Sequence, residues 1–173
     1  MWHSPRRPHT QVMLNLLPSI FVLGLAALAA WLLARDRPSP VNRTAERFAA
    51  ARMFFVAIVV QALHFTEETL TRFNEQLPAL FGMPSISFEG FVVFNLGWLV
   101  VWIVSIPVLR SGRPFAFFAA WFLAIAGMAN GVIHPLLAMA KGGYFPGLFT
   151  SPISGLSSMW LWHKLRKATQ PTS

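Results

Sequence analysis

Residues 11–34 read QVMLNLLPSIFVLGLAALAAWLLA, an apolar run without an ionisable side chain and long enough to cross a membrane with some tilt. Lipid offers a backbone no hydrogen bonds, so a spanning run of this kind must be a helix. Four more apolar runs follow. The second covers about 48–66, with Arg52 near enough to its end for the guanidinium to reach the interface. The third covers 91–109, is preceded by Glu89 and carries Pro107 near its far end; the fourth covers 115–138. The fifth, 148–162, is short and rich in small residues: Ser151, Ser154, Gly155, Ser157 and Ser158. Together they predict an all-α fold, a polytopic membrane helix bundle with about five transmembrane helices in one integral-membrane domain over residues 1–173.

The composition excludes the main alternatives. The chain is 55% hydrophobic and 12% charged, with a mean hydropathy of +0.53, whereas a soluble domain carries about 25% charged residues. Disorder is excluded on the same ground. With no cysteine, disulfides, thiolate metal sites and cysteine nucleophiles drop out. A net charge of +8 is a feature of nucleic-acid binders, but the cations sit between the apolar runs, as membrane flanks do. Membrane lipids are therefore the expected partners, and nucleic acid is not. Arg6 and Arg7 followed by Ala27-Leu28-Ala29 resemble a signal peptide with its cleavage site. Apolar sequence nevertheless continues through Trp31-Leu32-Leu33 into Arg35-Asp36-Arg37, which reads as a retained span.

With five spans the cations divide unevenly between the two faces. Arg35, Arg37, Arg43, Arg47, Arg52, Arg110, Arg113, Lys164, Arg166 and Lys167 fall on one face, and Arg6, Arg7, Arg72 and Lys141 on the other. Ten against four predicts, by the positive-inside rule, an outside N-terminus and a cytoplasmic C-terminus in a multi-pass protein of the plasma (inner) membrane. Trp31, Trp160 and Trp162 then fall at the cytoplasmic interface, where indole rings anchor well.

The polar residues collect at the opposite ends of the spans. The second run ends in His64-Phe65-Thr66-Glu67-Glu68, where a helix puts His64 on one face with Glu67 at i+3 and Glu68 at i+4. The fourth ends in Asn130-Gly131-Val132-Ile133-His134, which likewise aligns Asn130 with His134. Tyr144-Phe145-Pro146-Gly147 lies just beyond, and Glu89 opens the third run. Each group alone has a plain explanation: solvated loop carboxylates, a helix-end histidine before Pro135, interhelical packing at Gly127 and Gly131, or a turn with an interfacial aromatic. Their convergence on one end of the bundle is different, because ionisable groups in a span are expensive and mark sites. Two histidines and several carboxylates also supply ligands that zinc, iron or manganese accept.

These three stretches resemble the signatures of the HXXEE-motif family of small multi-pass membrane proteins: H-x-x-E-E at 64–68, N-x-x-x-H at 130–134 and Y-x-P-G at 144–147. The family carries no established activity, and the resemblance implies that the motif positions act together. Glu67-Glu68-Thr69-Leu70-Thr71-Arg72 is also similar to the E-E-x-x-x-R pattern of CAAX-protease-like membrane metalloproteases. The asparagine here precedes the histidine, however, and the remaining motif is missing, so that likeness is an analogy for chemistry only.

The residues predict a membrane-embedded, metal-dependent enzyme, hydrolase-like, acting on a lipid-like or membrane-peptide substrate at the outer leaflet. His64, Glu68 and His134 are the expected ligands of a divalent metal, zinc or iron. Glu67 is the expected general base, Asn130 a ligand-orienting or oxyanion-donating group, and Tyr144 part of a cover over the site. Metal-free acid–base lipid chemistry would use the same groups. Ion or proton transport would need polar residues continuing inward, where only Gln61 and Asn95 stand. A scaffold would use the cluster only to hold helices together.

Overall fold

The computed structural model describes residues 17–171, and they fold as six helices: α1 Leu17–Asp36, α2 Thr44–Leu70, α3 Phe73–Leu80, α4 Phe88–Arg110, α5 Pro114–Lys141 and α6 Ser151–Ala168. The expected all-helical architecture holds, with no strand among the described residues. The expected start of the first span at Gln11, and Arg6 and Arg7 before it, lie outside the described residues.

Helices α2, α4 and α5 are long and apolar enough to cross a membrane. At 1.5 Å per residue the 27 residues of α2 reach about 40 Å, more than the ~30 Å hydrocarbon core. Its ends therefore extend to the headgroup level or beyond. The second expected run is thus longer than its apolar stretch, because the polar residues after Leu63 continue the helix. Thr66 and Thr69 fold their hydroxyls onto the carbonyls of Ala62 and Phe65, both at 2.8 Å. The turn at Arg72, left-handed at φ 59°, separates α2 from α3. The fifth expected run also shifts, because Leu148 to Thr150 lie before α6 begins. Helix α6 then continues through Lys164, Arg166 and Lys167, so it falls outside the set apolar enough to span.

Helix α5 is the centre of the bundle, packed against α1, α4 and α6, while α2 packs on α4 and α6. From α1 the core takes Ala26, Ala30 and Ala34, one residue per turn of a single face. Phe54, Phe117, Trp121 and Leu161 fill the middle. Helices α5 and α6 meet backbone to backbone: a Cβ on Gly131 would lie 2.8 Å from the Cα of Gly155, and one on Gly127 would lie 2.0 Å from Ser158 Oγ. This is the small-residue contact that membrane helices use for close approach.

At the end away from the motifs, the buried Arg47 ties three segments together. It donates to the carbonyls of Pro40 at 2.7 Å and Arg110 at 3.1 Å, and to Thr44 Oγ1 at 2.9 Å. Trp31 and Trp160 are exposed. Trp162 instead packs edge-on against Trp121, with centroids 4.7 Å apart.

Candidate metal centre

Two helices and one loop make the site. Because α2 remains helical to Leu70, His64 and Glu68 stand one turn apart on its inward face. His134 comes from the last third of α5, where Pro135 falls inside the helix without ending it. All three side chains are buried, at 0% exposure for His64, 6% for Glu68 and 2% for His134. Glu68 Oε1 lies 3.5 Å from His64 Nε2 and 3.4 Å from His134 Nε2. The two imidazoles meet edge to face with centroids 4.7 Å apart. One ligand atom from each residue lies within 4.8 Å of the other two.

The outer nitrogens fix how the inner ones behave. His134 Nδ1 donates to the carbonyl of Pro146 at 2.6 Å, an acceptor only. His64 Nδ1 meets Thr150 Oγ1 at 2.8 Å. That hydroxyl already donates to Glu67 Oε2 at 2.6 Å, so toward His64 it accepts. Both neutral rings therefore carry their proton on Nδ1 and aim a bare Nε2 at Glu68. His64 Nε2 is buried with no hydrogen-bond partner. Two lone pairs and the Glu68 carboxyl face one another, and with Glu68 ionised there is no donor among them, an arrangement that a cation satisfies. Two of the three separations match a tetrahedral site, where ligands at Zn–N bonds of 2.0–2.1 Å stand about 3.3–3.4 Å apart: Glu68 Oε1 lies 3.5 and 3.4 Å from the two imidazole nitrogens, with the third separation within 4.8 Å.

The loop between α5 and α6 closes the site. Gly147 has φ +83°, and a Cβ there would stand 2.6 Å from His134 Nδ1 and 2.7 Å from His64 Cε1. The position requires glycine for backbone and space alike. Phe145 and Pro146 are fully buried beneath α3, whose Phe73 ring lies 5.5 Å from the His134 ring and 5.9 Å from that of Phe145. Lys141 at the end of α5 donates to Gln76 of α3.

Glu67, the expected general base, has both carboxylate oxygens engaged by the loop. Its Oε1 accepts from the Tyr144 hydroxyl at 2.7 Å and the Phe149 N–H at 3.1 Å. Its Oε2 accepts from the Thr150 N–H at 2.9 Å and the Thr150 hydroxyl at 2.6 Å. Four donors fill the carboxylate, so Glu67 anchors the 144–150 loop. Tyr144, half-buried, donates to Glu67 and stacks on Phe149, and burial together with its bond to Glu67 pushes the phenol above the usual tyrosine range. Asn130 is half-buried one turn before His134, and none of the hydrogen bonds that organise the site involves it. Glu89 is exposed at the start of α4 and is not part of the group. Sequence reasoning missed Thr150 and Phe73. Neither belongs to a motif, and Thr150 meets its partners across more than 80 positions of chain.

The cluster thus joins the H-x-x-E-E, N-x-x-x-H and Y-x-P-G stretches in one buried place. No curated protein and no solved structure matches this chain. A family model described as a protein of unknown function with HXXEE motif matches residues 54–161, more than half of the chain and all three stretches. The chain belongs to the HXXEE-motif family.

Proposed function

We propose that this is a multi-pass protein of the plasma membrane in which His64, Glu68 and His134 hold a divalent metal, zinc or iron, for hydrolase-like chemistry. One observation carries the reading. Two buried imidazoles, each with its outer nitrogen committed as a donor, turn bare nitrogens toward one buried carboxylate oxygen. Three protein ligands, with further positions left for water or substrate, are the pattern of catalytic rather than structural zinc. A divalent ion held there would supply Lewis acidity, and zinc would lower the pKa of water to about 7.

The protein's own residues do the rest. The hydrogen bonds from both Nδ1 atoms orient the imidazoles and raise their basicity as ligands. Glu67 holds the loop against them, and the burial of the cluster excludes bulk water. With Glu67 engaged, the second oxygen of Glu68 is the remaining carboxylate atom for proton transfer. The lipid-facing surface of α4, with Val93, Phe94, Leu96 and Val100 exposed, fits a substrate that arrives through the bilayer: a lipid, an isoprenoid or a membrane peptide. With the N-terminus outside, as the ten-to-four division of cations favours, the site opens at the outer leaflet.

The test is metal content per chain in detergent-purified protein prepared without chelator. Wild type should carry one ion. His64→Ala, Glu68→Ala and His134→Ala should each lose it while eluting as folded protein in size-exclusion chromatography. A metal-free wild type would sink the metalloenzyme and put acid–base lipid chemistry by the same three groups in its place.

A further inference from the structure

The Thr150 hydroxyl lies between two groups that never touch each other. Glu67 Oε2 is 2.6 Å away on one side and His64 Nδ1 is 2.8 Å away on the other. The chemistry of the acceptors decides which way this chain of bonds runs. Each oxygen of Glu67 already takes one backbone N–H, from Phe149 or Thr150, and one hydroxyl, from Tyr144 or Thr150. Three of these donors, the Phe149 and Thr150 N–H groups and the Tyr144 hydroxyl, are independent of Thr150 Oγ1 and favour the ionised carboxylate, so the Thr150 hydroxyl donates to Glu67 and accepts from His64.

A histidine without this acceptor has a competing choice. With the proton on Nε2 instead, His64 would donate to Glu68 Oε1, which stands 3.5 Å from that nitrogen. That tautomer would satisfy Glu68 locally and remove the lone pair that a metal needs. We propose that Thr150 is a positioning residue of the centre, holding His64 as the Nδ1–H tautomer through the Glu67–Thr150–His64 chain and so keeping Nε2 open to a divalent cation. The inference rests on the metal reading above and adds a residue outside all three motifs. His134 needs no such device, because its Nδ1 bonds a backbone carbonyl that cannot donate.

The tautomer can be read without metal. In detergent-solubilised, metal-free protein with 15N-labelled histidine, long-range proton–nitrogen spectra distinguish Nδ1–H from Nε2–H rings; the His64→Ala and His134→Ala variants assign two of the five histidines. Wild type should show both site rings as Nδ1–H. Thr150→Val, which keeps the shape and loses the hydroxyl, should move His64 to Nε2–H and leave His134 unchanged. Thr150→Ser should restore the wild-type pattern. A wild-type His64 already in the Nε2–H form, or one that stays Nδ1–H in Thr150→Val, would overturn the assignment.

Zinc titration of the same proteins gives the second reading. Loss of such an outer partner weakens metal binding by about 10–100-fold, so Thr150→Val should fall by that factor and Thr150→Ser should bind as wild type does. Equal affinity in Thr150→Val would refute the positioning role. A wild type that binds no zinc would refute the metal reading instead, with the spectra still deciding what Thr150 does to His64. A Thr150→Val protein that aggregates is replaced by Thr150→Ala, for which the same two shifts are expected.

Discussion

Gly147→Ala is the sharpest perturbation of the loop, because its two costs can be separated with neighbouring glycines. At φ +83° the alanine Cβ crowds its own backbone, a penalty of roughly 1–2 kcal/mol. The same Cβ would stand 2.6 Å from His134 Nδ1 and 2.7 Å from His64 Cε1, closer than real contacts allow, so both rings must shift. Overpacking of that kind adds about 1–3 kcal/mol, for a total of about 2–5 kcal/mol. Gly142, at φ +76° with nothing within 4 Å of its added Cβ, carries the backbone penalty alone. Gly143 has open space and no positive φ, and serves as the baseline. Reversible unfolding in mixed micelles should therefore rank the alanine variants Gly143, Gly142, Gly147 in order of increasing destabilisation. Only Gly147→Ala should also weaken zinc binding, because only there do the imidazoles move. A Gly147→Ala protein no less stable than Gly142→Ala, with metal affinity intact, would mean that the loop does not rest on the histidines.

Three further outcomes are expected. Tyr144 is the only tyrosine in the chain, so the phenolate absorbance reports on it alone; it should ionise at higher pH than free tyrosine, and Glu67→Gln should bring the midpoint down. The sign follows from the upward shift: the Tyr144 contribution to stability is whole below the ordinary tyrosine pKa of ~10 and is lost as pH rises through the elevated value, and Tyr144→Phe should abolish that alkaline dependence. Glu67→Gln and Glu68→Gln should fail differently: the first faces an amide N–H₂ toward a backbone N–H in either orientation, loosens residues 142–149 by ~1–3 kcal/mol and admits protease there, whereas the second releases metal with the loop still protected. A periplasm-active reporter fused after Lys167 should be silent and one inserted near Asn74 active; the reverse would overturn both the orientation and the outward-facing site.

Most of the bundle is legible in the sequence, because hydropathy alone marks where a backbone must satisfy itself. The grouping of His64, Glu68 and His134 was legible for a similar reason. Helical spacing puts His64 and Glu68 on one face whatever surrounds them, and a histidine inside an apolar run needs a partner. The role of Glu67 was not legible. At i+3 from His64 it looks as close to the site as Glu68 does, and only the path of the 144–150 loop shows that its face is taken by four donors. Helix ends were misjudged where polarity was read as an ending. Thr66 and Glu67 continue α2 because their side chains bond backbone or loop, Glu68 because its carboxyl meets His64 and His134, and Lys164 to Lys167 continue α6 because its other face is buried at Leu161, Leu165 and Ala168. Glu89 could not be placed from sequence, since the start of α4 fixes its height along the bundle and not its direction.

The packing of α5 on α6 belongs to the candidate site as much as to the fold. Residues 142–150 are the whole connection between these helices, and three of their groups touch His64, His134 or Glu67: the Pro146 carbonyl, Gly147 and Thr150. A connection this short can deliver all three only if the helices it joins are close together where it begins and ends. That closeness is set at Gly127, Gly131, Ser154 and Gly155, where any larger side chain would meet backbone or a serine hydroxyl. Gly131 lies inside the N-x-x-x-H stretch, one residue after the asparagine and three before the ligand. The same turn of α5 therefore sets both the helix separation and the position of His134. Widening it would lift the Pro146 carbonyl from His134 and the Thr150 hydroxyl from His64 together, releasing both tautomers at once while leaving every proposed ligand in the sequence.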